Sequence, residues 1–301
     1  MRILVTGSSG FIGNNIKDII GQSLNDFIFV TSKDYNLELQ DEFYTMINDI
    51  KPNKIIHLAA YSGGIKANRD FPADFYHRNL YIINNLFLAL LKSKHKVEKT
   101  LITIGGCSYP DTSDMLFEEN IWNGFPQIDS APYSLAKKTA IIASYAFKKQ
   151  YNINSQVVIP ANVYGKYDNF DLDTSHVIPA LVKKFVDNKN IIKIWGDGNP
   201  VRDFIYSEDL AKILIKIIYN DYNFDLLNIS SGNGVSIKNI VKSLIQITNY
   251  NGKIEYDKSK PSGQNVKVFS NKQMLKLDLK LETDLFEGLK KTVLWFQKNY
   301  S

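Results

Sequence analysis

The sequence of 301 residues contains very little cysteine and histidine. Its one cysteine, Cys107, excludes an intramolecular disulfide framework. With four histidines in the whole chain, a Cys/His metal cluster is not expected either. We therefore predict no metal site, and any chemical role of Cys107 would be that of a free thiol.

Long hydrophobic runs are also missing. No stretch approaches the roughly 18 to 20 uninterrupted apolar residues of a membrane span, and the N-terminus lacks the order of residues found in signal peptides. The 36 Lys and Arg residues exceed the 31 Asp and Glu residues by five, too few for a nucleic-acid-binding stripe. These absences predict a cytoplasmic protein that binds neither membrane nor nucleic acid, and the small positive excess would suit a phosphorylated ligand.

The hydrophobic content of 44% is sufficient for a large core. Short buried runs alternate with helical patterns over the first half of the chain, which predicts a parallel, doubly wound α/β sheet. The runs lie at 2–6, 27–31, 54–58, 99–104 and 155–160, and the helical patterns at about 41–49, 73–93 and 134–150. We expect a dinucleotide-binding domain over 1–164, with a returning segment at about 204–230, and a smaller α/β substrate-binding lobe over 165–301.

A glycine fingerprint lies between the first predicted strand and the first helix. Gly7, Gly10 and Gly13 would permit a tight turn, a close approach to a pyrophosphate, and packing of the helix on the strand. Three glycines at this spacing can also be an ordinary turn, but their position favours a dinucleotide site. Parallel sheets bind ligands at the carboxyl ends of their strands, so the later strand ends should converge on the same crevice.

The second strand ends in Ser32 and Lys33, which suit the 2′-phosphate of NADP. The alternative is that these are solvated turn residues and that Asp34 binds the 2′-hydroxyl of NAD. The sequence favours NADP.

Tyr133 and Lys137 are four residues apart in a predicted helix that begins near Pro132, so both lie on one face. A phenol needs a neighbouring cation to act as a proton donor near neutral pH, and Lys137 can supply that charge. A tyrosine and a lysine at this spacing also occur by chance on helix surfaces. Their position after the glycine fingerprint favours a catalytic pair.

The order of the glycine fingerprint, Leu58-Ala59-Ala60 and Tyr133-x-x-x-Lys137 resembles the extended short-chain dehydrogenase/reductases with their Rossmann sheet. More narrowly, the chain resembles the GDP-L-fucose synthase family over residues 2–300. The segments that carry this resemblance are Gly63-Gly64-Ile65-x-Ala67-Asn68, Pro72-Ala73-Asp74-Phe75, Cys107-Ser108-Tyr109-Pro110, Asn162-Val163-Tyr164-Gly165, Asp168-Asn169-Phe170, Ser175-His176-Val177-Ile178-Pro179-Ala180-Leu181 and Trp195-Gly196-x-Gly198-x-Pro200-x-Arg202-Asp203-Phe204.

The resemblance implies that NADPH reduces the C4 keto group of a GDP-linked 4-keto-6-deoxy sugar, with epimerisation at C3 and C5. Tyr133 would donate the proton to the C4 oxygen, and Lys137 would tune Tyr133 and hold the nicotinamide ribose. Cys107 and His176 match the epimerisation pair, and a thiol and an imidazole both titrate close enough to neutrality to exchange protons. Their alternative roles are a small buried filler and a residue at a helix N-terminus.

The resemblance also implies the binding residues and a homodimer formed by the helices at 73–93 and 134–150. The cofactor-binding set is Gly7, Ser9, Gly10, Phe11, Ile12, Gly13, Ser32, Lys33, Leu58, Ala59, Ala60, Lys137, Pro160, Asn162, Val163 and His176. The substrate-binding set is Asn162, Val177, Lys184, Trp195, Arg202 and Lys260. Lys184 and Arg202 would face the diphosphate.

The chain departs from the family at two positions. Gly105, four residues before Tyr109, replaces a catalytic serine or threonine, and losing such a donor costs roughly 2.7 to 4 kcal/mol of transition-state stabilisation. Ser108, Thr103, a substrate hydroxyl or water are the possible substitutes. Ser9 replaces an arginine often found near the NADP phosphate, which weakens the preference for NADP.

The loss at Gly105 leaves several functions open. The substrate could be a larger keto sugar such as a heptose, or the enzyme could reduce without epimerising. The alternatives are an NAD-dependent nucleotide-sugar 4-epimerase or dehydrogenase, and a dinucleotide-binding protein without catalytic activity.

Overall fold

The computed structural model describes residues 1–21, 26–112, 114–187, 190–259 and 264–300. The strands are β1 (Ile3–Thr6), β2 (Phe27–Val30), β3 (Lys54–His57), β4 (Lys99–Thr103), β5 (Ser155–Pro160), β6 (Asn162–Tyr164), β7 (Ile191–Trp195), β8 (Val201–Arg202), β9 (Phe204–Tyr206), β10 (Leu226–Ile229), β11 (Val235–Ser236), β12 (Lys253–Asp257) and β13 (Val266–Lys267). The helices are α1 (Phe11–Ile20), α2 (Gln40–Ile50), α3 (Ile65–Asp70), α4 (Pro72–Lys92), α5 (Ala131–Tyr151), α6 (Val177–Asp187), α7 (Ser207–Tyr219), α8 (Ile237–Thr248), α9 (Lys272–Lys276) and α10 (Leu285–Tyr300).

A six-stranded sheet in the order β10-β5-β4-β3-β1-β2 forms the centre of the molecule, and all its neighbouring strands are parallel. The strands β1 and β5 are buried along their whole length, as expected for strands covered by helices on both faces. Helix α1 packs against α7, and α4 packs against α2 and α5. The predicted doubly wound α/β fold is confirmed.

Two hydrophobic cores divide the apolar residues. The larger core surrounds the central sheet and also contains Ile205, the apolar face of α7, and Leu227 in β10. The smaller core joins β7 to α6, α8 and α10, with Phe170 stacked among the rings of Trp295, Phe296 and Tyr300. Helix α7 and strand β10 thus pack in the larger core, whereas β9 contributes Ile205 to the larger core and Phe204 and Tyr206 to the smaller one. Within the described residues, we find no helix with the length and hydropathy needed to span a bilayer.

Asp168 lies in the loop between β6 and α6, and its carboxyl group is buried. One oxygen, Oδ1, accepts a hydrogen bond of 2.8 Å from the backbone N–H of Asn169. The other oxygen is buried and has no hydrogen-bond partner among the described residues. Burial raises the pKa of Asp168 to about 7, and the bond from Asn169 opposes that rise.

We predict that Asp168 makes stability depend on pH. Because the native pKa of about 7 exceeds the unfolded value of about 3.9, the native state keeps a proton that the unfolded state loses. Stability should fall as pH rises from about 4 to 7. Thermal unfolding of Asp168→Asn should show a smaller fall in midpoint between pH 5 and pH 8 than the wild type. Asp173→Asn, at an exposed position in the same loop, is the control; identical pH profiles for all three proteins would contradict the prediction.

Candidate active site

The glycine fingerprint brings the ends of β1 and β3 together. Gly7 has a positive φ of 68°, and a Cβ atom added to it would lie 2.7 Å from the backbone nitrogen of Ala59. A Cβ on Gly13 would lie 2.5 Å from the Cα of Ser8, so α1 sits directly on the strand that precedes it. No described side chain caps α1 at Gly10. Its first amide groups and the positive end of its dipole can therefore bind a phosphate.

The turn after β2 is held by Asp34. Its Oδ2 atom accepts hydrogen bonds from the backbone N–H and from the hydroxyl of Thr31, both 2.8 Å long. These bonds lower the pKa of Asp34, the one from the backbone most strongly. Ser32 and Lys33 are exposed at the tip of the turn. The carboxylate therefore stabilises the turn, and the lysine is the residue that extends from it.

Tyr133 and Lys137 lie in the first two turns of α5, which has Pro132 in its first turn. The ring of Tyr133 packs edge to face on Phe75, with centroids 6.0 Å apart. Lys137 is 2% exposed. Burial lowers the pKa of Lys137 to about 8, opposed by the nearby Cys107, and raises the pKa of Tyr133. Burial thus keeps Tyr133 protonated, while a pKa of about 8 leaves Lys137 mostly charged at pH 7.

His57, at the end of β3, is a buried residue near this pair that was not predicted from the sequence. Its Nδ1 atom is 2.9 Å from the hydroxyl of Thr6. Burial lowers its pKa to about 3, and the charge of Lys137 contributes. His57 is therefore neutral at physiological pH, which spares Lys137 a second positive charge nearby. Its position directly before Leu58-Ala59-Ala60 was the only signal in the sequence.

Cys107 and Tyr133 border the same small space at the end of β4. A Cβ atom added to Gly105 would lie 3.0 Å from the Cys107 sulfur, 3.4 Å from Cε1 of Tyr133 and 3.7 Å from the Tyr133 hydroxyl oxygen. The thiol is partly exposed. The structure thus brings together three of the four predicted catalytic residues: Cys107, Tyr133 and Lys137.

His176, the fourth predicted catalytic residue, directly precedes α6. The loop that carries it packs against the start of α3, since a Cβ on Gly64, the residue before that helix, would lie 2.6 Å from the carbonyl oxygen of Thr174. The ring is exposed, yet the surrounding protein removes enough water to lower its pKa. Its neutral form is therefore favoured, as a proton acceptor requires.

Several predicted binding residues lie after β5. Both the backbone N–H and the side-chain amide of Asn162 donate to the carbonyl oxygen of Asp203, at 3.0 and 2.7 Å. Lys184 donates to the carbonyl oxygen of Lys193 at 2.8 Å. Trp195 is 56% exposed and Val177 is 37% exposed. Lys260 lies outside the described residues.

Lys267 is a second residue of the site that was not predicted from the sequence. It lies in β13, which pairs in parallel with β8 so that Lys267 is the partner of Arg202. Burial lowers the pKa of Lys267; the neighbouring Cys107 and Asp111 oppose this effect and Arg202 adds to it. Burial also lowers the pKa of Arg202. Two cations with reduced access to water therefore lie side by side, and Lys267 is the one close enough to Cys107 to interact with it.

Comparisons with known proteins show the family of the chain. Residues 3–230 match the NAD dependent epimerase/dehydratase family. The chain is 35% identical to the GDP-L-colitose synthase of Yersinia pseudotuberculosis, over 98% of both chains. It is 33% identical to the GDP-L-fucose synthase of Sinorhizobium fredii, over 99% of this chain and 96% of that one.

A solved structure is similar over the same length. It is the GDP-L-fucose synthetase from Naegleria fowleri bound to NADP, with a TM-score of 0.91, 27% identity, and coverage of 99% of this chain and 93% of that one. The chain therefore belongs to the NAD dependent epimerase/dehydratase family and, as its motifs predicted, to the GDP-L-fucose synthases within it.

Proposed function

We propose that the protein is an NADPH-dependent oxidoreductase that reduces the C4 keto group of a GDP-linked 4-keto-6-deoxy hexose or heptose and epimerises C3 and C5. The observation that carries this proposal is the closeness of Cys107 to Tyr133 beside Gly105: a Cβ atom added to Gly105 would lie 3.0 Å from the Cys107 sulfur and 3.7 Å from the Tyr133 hydroxyl oxygen. A keto sugar there would meet a proton donor and a thiol at adjacent atoms. The names of the full-length relatives support the GDP-sugar class.

The glycine turn and α1 fit a dinucleotide, because side chains at Gly7 and Gly13 would occupy the backbone contacts that form the cradle. Asp34 is bound to Thr31. Lys33 is therefore better placed than Asp34 to meet the ribose substituent, which supports NADPH. The NADP-bound relative also supports it. When bound, NADPH supplies the hydride to C4.

Tyr133 donates the proton that the C4 oxygen needs once the hydride has arrived. Its phenol is protonated because burial raises its pKa, and Lys137 stabilises the phenolate that remains. Epimerisation uses a different property of the ketone: it makes the hydrogens on C3 and C5 acidic. Inversion then needs a base and an acid, and Cys107 and His176 fill these roles.

The second part of the chain holds the nucleotide. We assign residues 1–164, with 204–230, to the cofactor domain, and the rest of 165–301 to the lobe that binds GDP. Arg202 and Lys267 are paired across β8 and β13, and together they can bind the diphosphate. Val177, Lys184 and Trp195, together with Lys260, complete the proposed site.

We further propose a homodimer through the outer faces of α4 and α5. Large apolar side chains are exposed there, including Tyr81 at 52%, Ile142 at 53% and Tyr145 at 62%. A groove of about 390 Å³ continues this surface between Tyr76 and Leu135. An apolar surface of this extent is typical of a protein interface.

Tyr133→Phe tests the reduction. It removes the proton donor but keeps the ring that packs on Phe75, so we expect NADPH oxidation with GDP-4-keto-6-deoxymannose to fall by about 10²–10⁴-fold. Affinity for NADPH should remain near that of the wild type. Parallel assays with NADH should give a lower kcat/KM than those with NADPH. Unchanged turnover in the variant would contradict the role of Tyr133.

Cys107→Ser and His176→Asn test the epimerisation. In deuterium oxide without NADPH, the wild type should introduce deuterium at C3 and C5, and each variant should lose exchange at one or both carbons. Mass spectrometry and NMR of the sugar measure this directly. Absence of exchange in the wild type would leave a C4 reductase without epimerase activity.

Sedimentation equilibrium tests the dimer. We expect twice the mass of the chain for the wild type and a shift toward monomer for Tyr145→Glu, because the carboxylate would be buried in the interface. Gln150→Glu, at an exposed position further along α5, introduces the same single negative charge and is the control. A monomeric wild type at micromolar concentration would rule out the interface.

A further inference from the structure

Two adjacent glycines follow β4, and packing explains only one of them. A Cβ atom on Gly106 would lie 2.6 Å from Cζ of Phe269 and 3.2 Å from the carbonyl oxygen of Pro160. The ring of Phe269 thus fills the place of a side chain at position 106. Gly106 is required by the fold.

Gly105 is different. Its backbone angles, φ −86° and ψ 146°, are those of extended chain that any residue adopts. A Cβ there would need small adjustments by the Cys107 sulfur at 3.0 Å and by the Tyr133 ring at 3.4 Å. A hydroxyl one bond beyond that Cβ could reach the Tyr133 oxygen, which lies 3.7 Å from the Cβ position. The backbone would accept a serine once these two neighbours shifted slightly, and with glycine the chain places no hydroxyl there.

This position matters if the enzyme reduces a ketone, so the inference rests on the proposed function. Negative charge develops on the C4 oxygen, and a second hydrogen-bond donor beside Tyr133 would stabilise it. The hydroxyl of Ser108 is buried and directed to the carbonyl oxygen of Ser134. Thr103, two residues before Gly105, has a buried hydroxyl without a partner among the described residues. Thr103 is therefore the residue of the protein that could donate to the C4 oxygen instead.

We propose that the substrate itself supplies the missing donor, through the hydroxyl on C3 of the sugar. Two carbons flank the keto group. C5 carries C6 and the ring oxygen, which donate no hydrogen bond, whereas C3 carries a hydroxyl. The place of a side chain at position 105 lies between the Tyr133 hydroxyl, which serves the C4 oxygen, and the Cys107 sulfur, which serves the neighbouring carbons.

The C3 hydroxyl donates a hydrogen bond and keeps its proton throughout. C4 gains the hydride and its oxygen gains the proton of Tyr133, so the reduction balances without a further reactant. Gly105 thereby determines specificity: the enzyme requires 4-keto sugars with a free C3 hydroxyl and discriminates against 3-deoxy sugars. An enzyme with a serine at this position supplies the donor itself and has no such requirement.

The test compares kcat/KM for GDP-4-keto-6-deoxymannose and for its 3-deoxy analogue, with saturating NADPH. The wild type should prefer the hydroxylated substrate by about 10²–10³-fold, the effect of removing one such donor. Gly105→Ser should raise kcat/KM for the 3-deoxy analogue. The ratio of kcat/KM between the hydroxylated substrate and this analogue should then fall at least about tenfold. Gly105→Ala adds the carbon without the donor and should keep the wild-type preference. Thr103→Val should leave the preference and the rate with the hydroxylated substrate unchanged.

Equal kcat/KM for the two substrates in the wild type would overturn the inference, even if no variant folded. A loss of about 10²-fold in Thr103→Val would assign the donor to the protein and overturn it too. If Gly105→Ala narrowed the preference as much as Gly105→Ser, the effect would be steric and the inference wrong. If the wild type reduced neither substrate, the proposed reduction itself would be contradicted, and the inference with it.

Discussion

Backbone that packs directly against backbone at Gly7 and Gly13 sets the position of the rest of the site. A Cβ at either position would lie within 2.7 Å of the backbone of Ala59 or Ser8. These contacts bring the ends of β1 and β3 and the start of α1 within reach of one dinucleotide. Gly64 makes a similar close contact, because the backbone of the loop before His176 packs directly on it. Contacts that tolerate no side chain thus hold the glycine turn, the ends of the strands and the loop before His176 in place.

Asp203 connects this region to the three-stranded sheet of β11, β8 and β13. Its carboxylate, fully buried, accepts hydrogen bonds from the N–H groups of Ser231, Gly232 and Phe269 and from the Ser231 hydroxyl. Its carbonyl oxygen accepts both bonds of Asn162. Burial raises its pKa to about 6, and these bonds oppose the rise. A buried charge with this many donors fixes geometry, and here it fixes the strands that carry the two paired cations and the ring that fills the space at Gly106.

The sequence was informative where signals are local and uninformative where strands are short. Strand runs, the glycine turn and the Tyr133 and Lys137 pair follow from periodicity and spacing, and the parallel sheet followed from them. Lys267 could not be found this way, because β13 has two residues and no periodicity, and its approach to Cys107 depends on pairing with β8. Nor does the sequence show that packing requires glycine at Gly106 but not at Gly105. Only the ring of Phe269, distant along the chain, separates the one that packing requires from the one that it does not.

The difference between Gly105 and Gly106 affects catalysis because the side chains around Gly105 are shielded from water. Lys137 is almost completely buried. Burial lowers the pKa of Lys137 and raises that of Tyr133, because it penalises the charged form of each side chain. In such surroundings each hydrogen bond to a developing charge is worth more than in water, and a missing one is correspondingly costly. The missing donor then enters with the substrate. In a 4-keto sugar the donor nearest to the reacting carbonyl is the hydroxyl on C3. Loss of a catalytic side chain thus changes which substrates the enzyme can use, while the rest of the site keeps its chemistry.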